Sequence, residues 1–238
     1  MSYIYLIRHA QAGTRDNYDV LSELGQQQAR LLGTHLSTQG IQLAAVYAGG
    51  MRRQQHTAEL ACEMMAREGL HVPDITVDER WNEFSLLSVY RAIARRMIED
   101  DEQFARDARE MQEAIRRDPH TTGGATGRCD AAVIRAWMEN RYSDYEGETW
   151  ASFRSRINAC ADCFSNNESE KSIAVFTSAT PIAIHASAAL GLTDEKLLSI
   201  LGVIYNTSVT IVRARDGELR LFTFNATPHL TASTRTFR

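Results

Sequence analysis

The sequence predicts an α/β protein, a three-layer αβα sandwich with a mostly parallel central sheet, helices on both faces and a helical cap insertion at about residues 85–148. Three observations carry this reading. Short apolar runs alternate along the chain with segments of helical period, the order that builds parallel sheets covered by helices. The runs are nearly continuous rather than alternating, as in strands buried on both faces. The stretch from about Ser85 to Glu148 carries no strand pattern.

Tyr3–Ile7 is the first strand, and from Ser22 a helix follows in which Leu24, Leu31, Leu32 and Leu36 recur at helical spacing. Ala44–Tyr47 is the second strand. Gly49-Gly50 breaks it, and MRRQQHTAELACEMMAREG reads as a helix stopping at Gly69. After Pro73, ITVDERW is expected to be a third strand. SIAVFT at 172–177 is another, followed by a helix over TPIAIHASAALG with Pro181 in its first turn. Val203–Arg213 and Leu219–Phe224, separated by RDGE, form a hairpin-like pair, so one edge of the sheet is expected to be antiparallel. Within the insertion, TTGGATG at 121–127 interrupts a helical composition. Its segment Arg91–Arg117 holds seven arginines and seven acids, many at i,i+3 or i,i+4 distance, which suits a solvated helical face. The sharper alternative is a cap over the site whose arginines meet an anionic substrate.

With 238 residues and 44% hydrophobic content the chain can bury one substantial core, and a single domain is expected. The net charge of -4 supplies no general field for a polyanion, so nucleic acid is not an expected partner. The opening MSYIYLIRHA lacks the features of a signal peptide and no run of about eighteen apolar residues occurs, so no membrane partner and a cytoplasmic location are expected. Cys62, Cys129, Cys160 and Cys163 are too few for a disulfide framework and are expected to be free thiols. The Cys160-Ala-Asp-Cys163 pair has no second pair to complete a zinc site. His35, His56, His71, His120, His185 and His229 fall into no HxxxH or HExxH pattern, and no metal or cofactor is expected. The Gly pairs at 49–50 and 123–124 are not GxGxxG, and Ser178 lies in no GxSxG elbow.

A parallel sheet places its ligand outside the carboxyl ends of its strands, and Arg8-His9 sits at such an end. A permanent cation beside the imidazole suits a phosphate and disfavours protonation of His9. The second strand runs into AGG and a helix opened by MRR, so backbone N–H groups and Arg52 or Arg53 converge on the same region. DERWNEF adds Asp78, Glu79 and Glu83, any of which has the chemistry of a proton donor beside a phosphate. The combination suggests phosphoryl transfer with a histidine nucleophile.

Together YLIRHA, LSELGQQQARLLG and VYAGGMRRQQHTAEL resemble the histidine phosphatase superfamily, also called the phosphoglycerate mutase-like family, over most of the chain. The resemblance implies that Arg8, His9 and Ala10 stand for the family's Arg-His-Gly motif, with His9 the nucleophile. It selects Arg53 through the following Thr57-Ala58, and Glu83 in WNEF as general acid. GETWASFRSRI (147–157), YNTSVTIV (205–212) and FNATPHL (224–230) are similar to further family segments. A phosphohistidine intermediate and no metal are implied. One departure stands out: where the family has a second histidine in a Ser-His-Gly turn, this sequence reads Thr177-Ser178-Ala179-Thr180-Pro181, and Ala179 is expected at the histidine's place. N–H groups of that turn, or the hydroxyls of Ser178 or Thr180, remain able to bind the same oxygens. The expected function is therefore a phosphomonoester hydrolase of reduced activity acting on a small phosphorylated substrate. The alternatives are a protein that binds phosphate or a phosphoester without turnover, and a mutase-type phosphotransferase, which AQAGTRDN after the histidine matches less well.

Overall fold

The computed structural model describes residues 2–14, 17–119, 121, 123–165, 171–215 and 218–237. It is a mixed α/β fold with a six-stranded sheet in the order β3-β2-β4-β1-β5-β6. The strands are β1 (Ser2–Arg8), β2 (Leu43–Ala48), β3 (Ile75–Val77), β4 (Lys171–Thr177), β5 (Val209–Arg215) and β6 (Glu218–Ala226). β1, β2, β3 and β4 run parallel, whereas β5 pairs antiparallel with β1 and β6 antiparallel with β5. The expected antiparallel edge is thus two strands wide.

Helices α1 (Glu23–Thr38) and α2 (Arg52–Arg67) cover one face. Ser22 caps α1 by accepting from the Gly25 N–H. Leu32 and Leu36 of α1 join Ala58, Ala61 and Met65 of α2 over Ile7, Val46 and Phe176 of the sheet. Gly33 permits the close approach of the two helices, since a Cβ there would stand 2.3 Å from the Ala61 carbonyl oxygen. The helix expected over TPIAIHASAALG is α8 (Ala179–Leu190), and α8 touches β1, β5 and β6. It is buried from Thr180 to Ser187 and ends on Gly191 in the left-handed region. A short helix, α9 (Asp194–Leu201), follows.

Three expectations are corrected. The third strand is only Ile75–Val77; Asp78 accepts from the Arg80 N–H, and Glu79–Trp81 becomes a 3₁₀ turn. The penultimate strand starts at Val209 rather than Val203, because Asn206, Thr207 and Ser208 turn their hydrogen bonds toward the end of β1 instead of a ladder. The TTGGATG break is half helix, since α6 begins at Gly124 and Thr126 is buried in it. His120 and Thr122 lie outside the described residues, as do Asp216 and Gly217 of the expected RDGE turn.

The chain divides into two compact units, Met1–Glu83 with Arg156–Arg238, and Phe84–Ser155. The second is helical. A helical segment runs from Leu86 to Asp100 as α3 (Leu86–Val89), a π-helical turn (Tyr90–Ala94) and α4 (Arg95–Asp100), followed by α5 (Glu102–Arg117), α6 (Gly124–Met138) and the start of α7 (Trp150–Ser165). Phe84, Trp137, Trp150 and Phe153 pack as an aromatic cluster in this unit, with ring centroids 4.5 Å apart for Phe84 and Trp137. Cys62, Cys129 and Cys160 are free thiols, and the Cys163 side chain lies outside the description. No described helix is long and apolar enough to cross a membrane.

Candidate active site

The parallel pair β1 and β4 ends in register, Arg8 opposite Thr177, and the His9 N–H continues the ladder to the Thr177 carbonyl at 2.8 Å. The next residues, His9 and Ser178, therefore stand side by side just beyond the strand ends. Both are buried, at 2% and 1% exposure. β2 ends beside them, with the Gly49 N–H donating to the Phe176 carbonyl.

His9 is held at both ring nitrogens. Nδ1 lies 2.8 Å from the Ala10 carbonyl oxygen, an acceptor only, so Nδ1 carries the proton and Nε2 the lone pair. That lone pair accepts from Arg53 Nε at 3.2 Å. Burial first, then the cations of Arg53 and Arg8, push the His9 pKa well below its usual 6.5, against the opposing pull of the Ala10 carbonyl. His9 is thus a neutral imidazole near pH 7 with Nε2 as its basic atom. Its backbone is clamped too. The Asn206 carboxamide donates to the His9 carbonyl at 3.0 Å, and the Thr207 N–H donates to the Arg8 carbonyl at 3.0 Å. Thr207 adopts φ 53° to do so.

Arg53, which the resemblance selects, is buried in the first turn of α2, whereas Arg52 is exposed. The Arg53 guanidinium lies over the Tyr18 ring at 4.9 Å, and its Nη1 donates to Asp19 at 2.9 Å. Asp19 also accepts from the Arg52 and Arg53 backbone N–H groups, so a carboxylate already caps the N-terminus of α2. Thr57 accepts from the Ala10 N–H at 3.0 Å and donates to the Arg53 carbonyl, tying the loop after β1 to α2. Arg8 is buried. Its Nη1 donates to the Ile204 carbonyl, and its Nε has no hydrogen-bond partner among the described residues. Burial lowers its pKa, opposed by Tyr18 and by the charge of Glu83, but an arginine remains a cation throughout the working range.

Glu83 is brought to the same sheet edge, where its Oε2 accepts from the Thr180 N–H of α8 at 3.1 Å. That N–H is consequently engaged by a carboxylate. Asp78 instead pairs with Arg80 at 2.6 Å, which holds its carboxyl below the usual range, and belongs to the turn rather than to the His9 cluster. Ser178 is the N-cap residue of α8 but makes no capping hydrogen bond; its Oγ accepts from Gln54 Nε2 at 2.9 Å. Ala179 is the first residue of α8 and half-buried.

In the Phe84–Ser155 unit several arginines pair with acids of the same unit. Arg96 pairs with Asp144, Arg106 with Glu102, Arg117 with Glu113, and Arg128 with Asp107 and Glu110, as on a solvated face. Of the remaining histidines, His185 is buried beside Trp81, and His35 stacks on His229. Among the described residues no group of three His, Cys, Asp or Glu side chains could hold a metal ion.

Sequence reasoning missed Tyr18, Asp19 and Gln54, and noted Asn206 only as part of a family segment. Gln54 carried a readable signal, since it directly follows Arg53 and is a helix N3 residue of the capping-box type. Asp19 carried none, because only the fold shows that the loop before α1 returns to α2.

The sequence matches the histidine phosphatase superfamily (branch 1) over residues 4–227, and the chain belongs to that family. The comparison with curated proteins finds no match. Among solved structures it is similar to phosphoserine phosphatase from Entamoeba histolytica in complex with 3-phosphoglyceric acid, at 17% identity and TM-score 0.62 over 97% of this chain and 100% of that one. It is similar also to phosphoglycerate mutase from Bacillus anthracis str. Sterne, at 18% identity and TM-score 0.61 over 96% and 94%. A third is a mycobacterial glucosyl-3-phosphoglycerate phosphatase complexed with VO3, at 21% identity and TM-score 0.59 over 94% and 99%. At these identities the likeness is one of fold.

Proposed function

We propose that the protein is a phosphomonoester hydrolase that works through a phosphohistidine on His9. The observation that carries this reading is the locked tautomer of His9: a buried neutral imidazole, its proton given to the Ala10 carbonyl and its Nε2 lone pair beside the Arg53 guanidinium. A nucleophile kept neutral among cations suits an anionic electrophile, because the cations that depress its pKa also bind the phosphoryl oxygens.

In the proposed sequence Nε2 attacks phosphorus in line. The N–P bond forms as the ester P–O bond breaks, and Glu83 gives its proton to the leaving oxygen. Arg53 exchanges its bond to Nε2 for a phosphoryl oxygen, and Arg8, whose buried Nε–H has no acceptor among the described residues, takes another. Water then attacks phosphorus while Glu83 takes back a proton; the N–P bond breaks, releasing phosphate and neutral His9. The Ser178, Ala179 and Thr180 turn lines the phosphate site, with the Thr180 N–H positioning Glu83 rather than binding oxygen. The substrate class is a small phosphorylated metabolite. Support comes from family membership and from similar folds described with 3-phosphoglyceric acid and VO3.

A second reading, phosphate binding without turnover, is favoured by the turn at 177–180, which offers no imidazole. Release of phosphate from a panel of phosphomonoesters, measured for the parent and for His9→Ala, separates the readings. Hydrolysis that His9→Ala reduces at least about 10³-fold is expected; His9→Ala retaining more than about a tenth of the activity overturns the nucleophile assignment.

A further inference from the structure

Gln54 and Ser178 are buried polar residues for which the proposed mechanism gives no separate role, and their hydrogen bonds fix where one proton must go. Gln54 is fully buried, directly after Arg53 in α2. Its Oε1 accepts from the Met51 N–H at 3.3 Å, so the amide's other end, Nε2, is the one that faces inward. Nε2 donates to the Trp81 carbonyl at 3.3 Å and to Ser178 Oγ at 2.9 Å. A carbonyl can only accept, which confirms the amide's orientation without reference to the serine. Ser178 Oγ therefore accepts from Gln54, and its own proton is left to donate elsewhere.

The usual structural task of a serine at this position is absent. An N-cap serine accepts from an N–H of the first helical turn. Ser178 does not, and the Thr180 N–H that it would serve is taken by Glu83. Ser178 is 1% exposed, and no described residue accepts its proton. It stands beside His9, because Arg8 and Thr177 are paired partners and each strand ends there.

We propose that the Ser178 hydroxyl is a donor to the phosphoryl oxygen as charge develops during attack by His9, and that Gln54 is a positioning residue that keeps its proton directed there. Ser178, not Ala179, then occupies the position facing the nucleophile, and the site keeps a preorganised donor without an imidazole. Ala179 begins the helix one residue further on. This inference rests on the reading of His9 as the phosphoryl acceptor.

The test is a double-mutant cycle on Ser178→Ala and Gln54→Met, read by phosphatase kinetics and by vanadate binding, with thermal melts for folding. Removing one preorganised donor costs about 10²-fold in kcat in comparable sites, and KM should move less than about threefold. Gln54→Met should lower kcat about tenfold in the parent but less than twofold in the Ser178→Ala background, since a hydroxyl must be present for its direction to matter. A vanadate affinity falling at least about tenfold in Ser178→Ala reads the same donor where turnover is too slow to measure. Full kcat and vanadate affinity in Ser178→Ala, with His9→Ala inactive, overturn this inference and leave the mechanism standing. Additive losses in the cycle overturn the role of Gln54. A parent that neither turns over phosphomonoesters nor binds vanadate overturns both readings. Should Ser178→Ala fail to fold, Ser178→Cys, which keeps the size and weakens the donor, must show the same loss of kcat.

Discussion

Asp19 holds Arg53 by a 2.9 Å ion pair and caps α2, so it occupies the ground on which a phosphate would be bound. Asp19→Asn keeps one acceptor oxygen, Oδ1, for the Arg53 groups, gives up the oxygen that accepts from the Arg52 N–H, and removes one negative charge. Arg53 should not wander, because His9 holds its Nε at 3.2 Å, the Tyr18 ring lies 4.9 Å beneath it, and its side chain is only 8% exposed. The Asp19 side chain is 55% exposed, so water-like screening applies. Unit charges about 4 Å apart then interact by about 1 kcal/mol, and a phosphate of nearly two charges at about that range feels about 1–2 kcal/mol of repulsion. Phosphate should bind Asp19→Asn about five- to thirtyfold more tightly than the parent at low ionic strength. In about 1 M salt, where the Debye length is about 3 Å, most of the gain should vanish. Calorimetric titration with phosphate at the two salt levels measures both. Weaker binding by Asp19→Asn would instead make Asp19 a residue that positions Arg53 rather than one that competes for it.

Two further outcomes concern protons. After correction for the substrate's own titration, kcat/KM should stay level as pH falls through 6.5, because protonation of His9 is deferred well below that value; Arg53→Gln removes the nearer cation and should move the acid limb to higher pH. An acid limb at 6.5 in the parent, unmoved by Arg53→Gln, contradicts this. His185 is buried, its Nε2 has no hydrogen-bond partner among the described residues, and its pKa is lowered from 6.5 to about 4 by desolvation. The unfolded chain takes up a proton that the native state refuses, so stability is full above about 6.5 and falls by about 3 kcal/mol as pH drops toward 4. Denaturation at pH 7.5 and 4.5 should show His185→Leu losing less than the parent, and equal losses would mean that His185 is protonated in the fold.

The parts of this fold that were legible in the sequence are those where one periodicity acts alone. Tyr3–Ile7 and 172–177 are apolar enough to be buried strands wherever they lie, and the burial of Leu32 and Leu36 follows from their helical spacing. ITVDERW misled because its apolar content continues to Trp81, whereas Asp78 caps a turn after Val77. The 203–208 segment misled for a related reason, since Val203, Ile204, Tyr205 and Thr207 look like strand residues, but Asn206 and Thr207 spend their polar groups on the backbone of Arg8 and His9. Within the candidate site, Arg8 and His9 could be named because they end a strand, whereas Arg53 and Glu83 are singled out from Arg52, Asp78 and Glu79 only by the family resemblance. Asp19 could not be named, because its importance lies in a partner far along the chain, the Arg53 guanidinium; Gln54 is marked only by its place after Arg53 at helix N3, and its partners Trp81 and Ser178 are visible in the fold alone.

The central claim is a covalent bond between phosphorus and His9 Nε2. Incubating the protein with an aryl phosphate, quenching in alkali within the first turnover and mapping the phosphoryl group by peptide mass spectrometry tests it directly. A phosphoryl group on His9 that survives alkali, is lost in acid and is absent from His9→Ala is expected. Turnover with no phosphoryl group on His9, or with one on another residue, would contradict it.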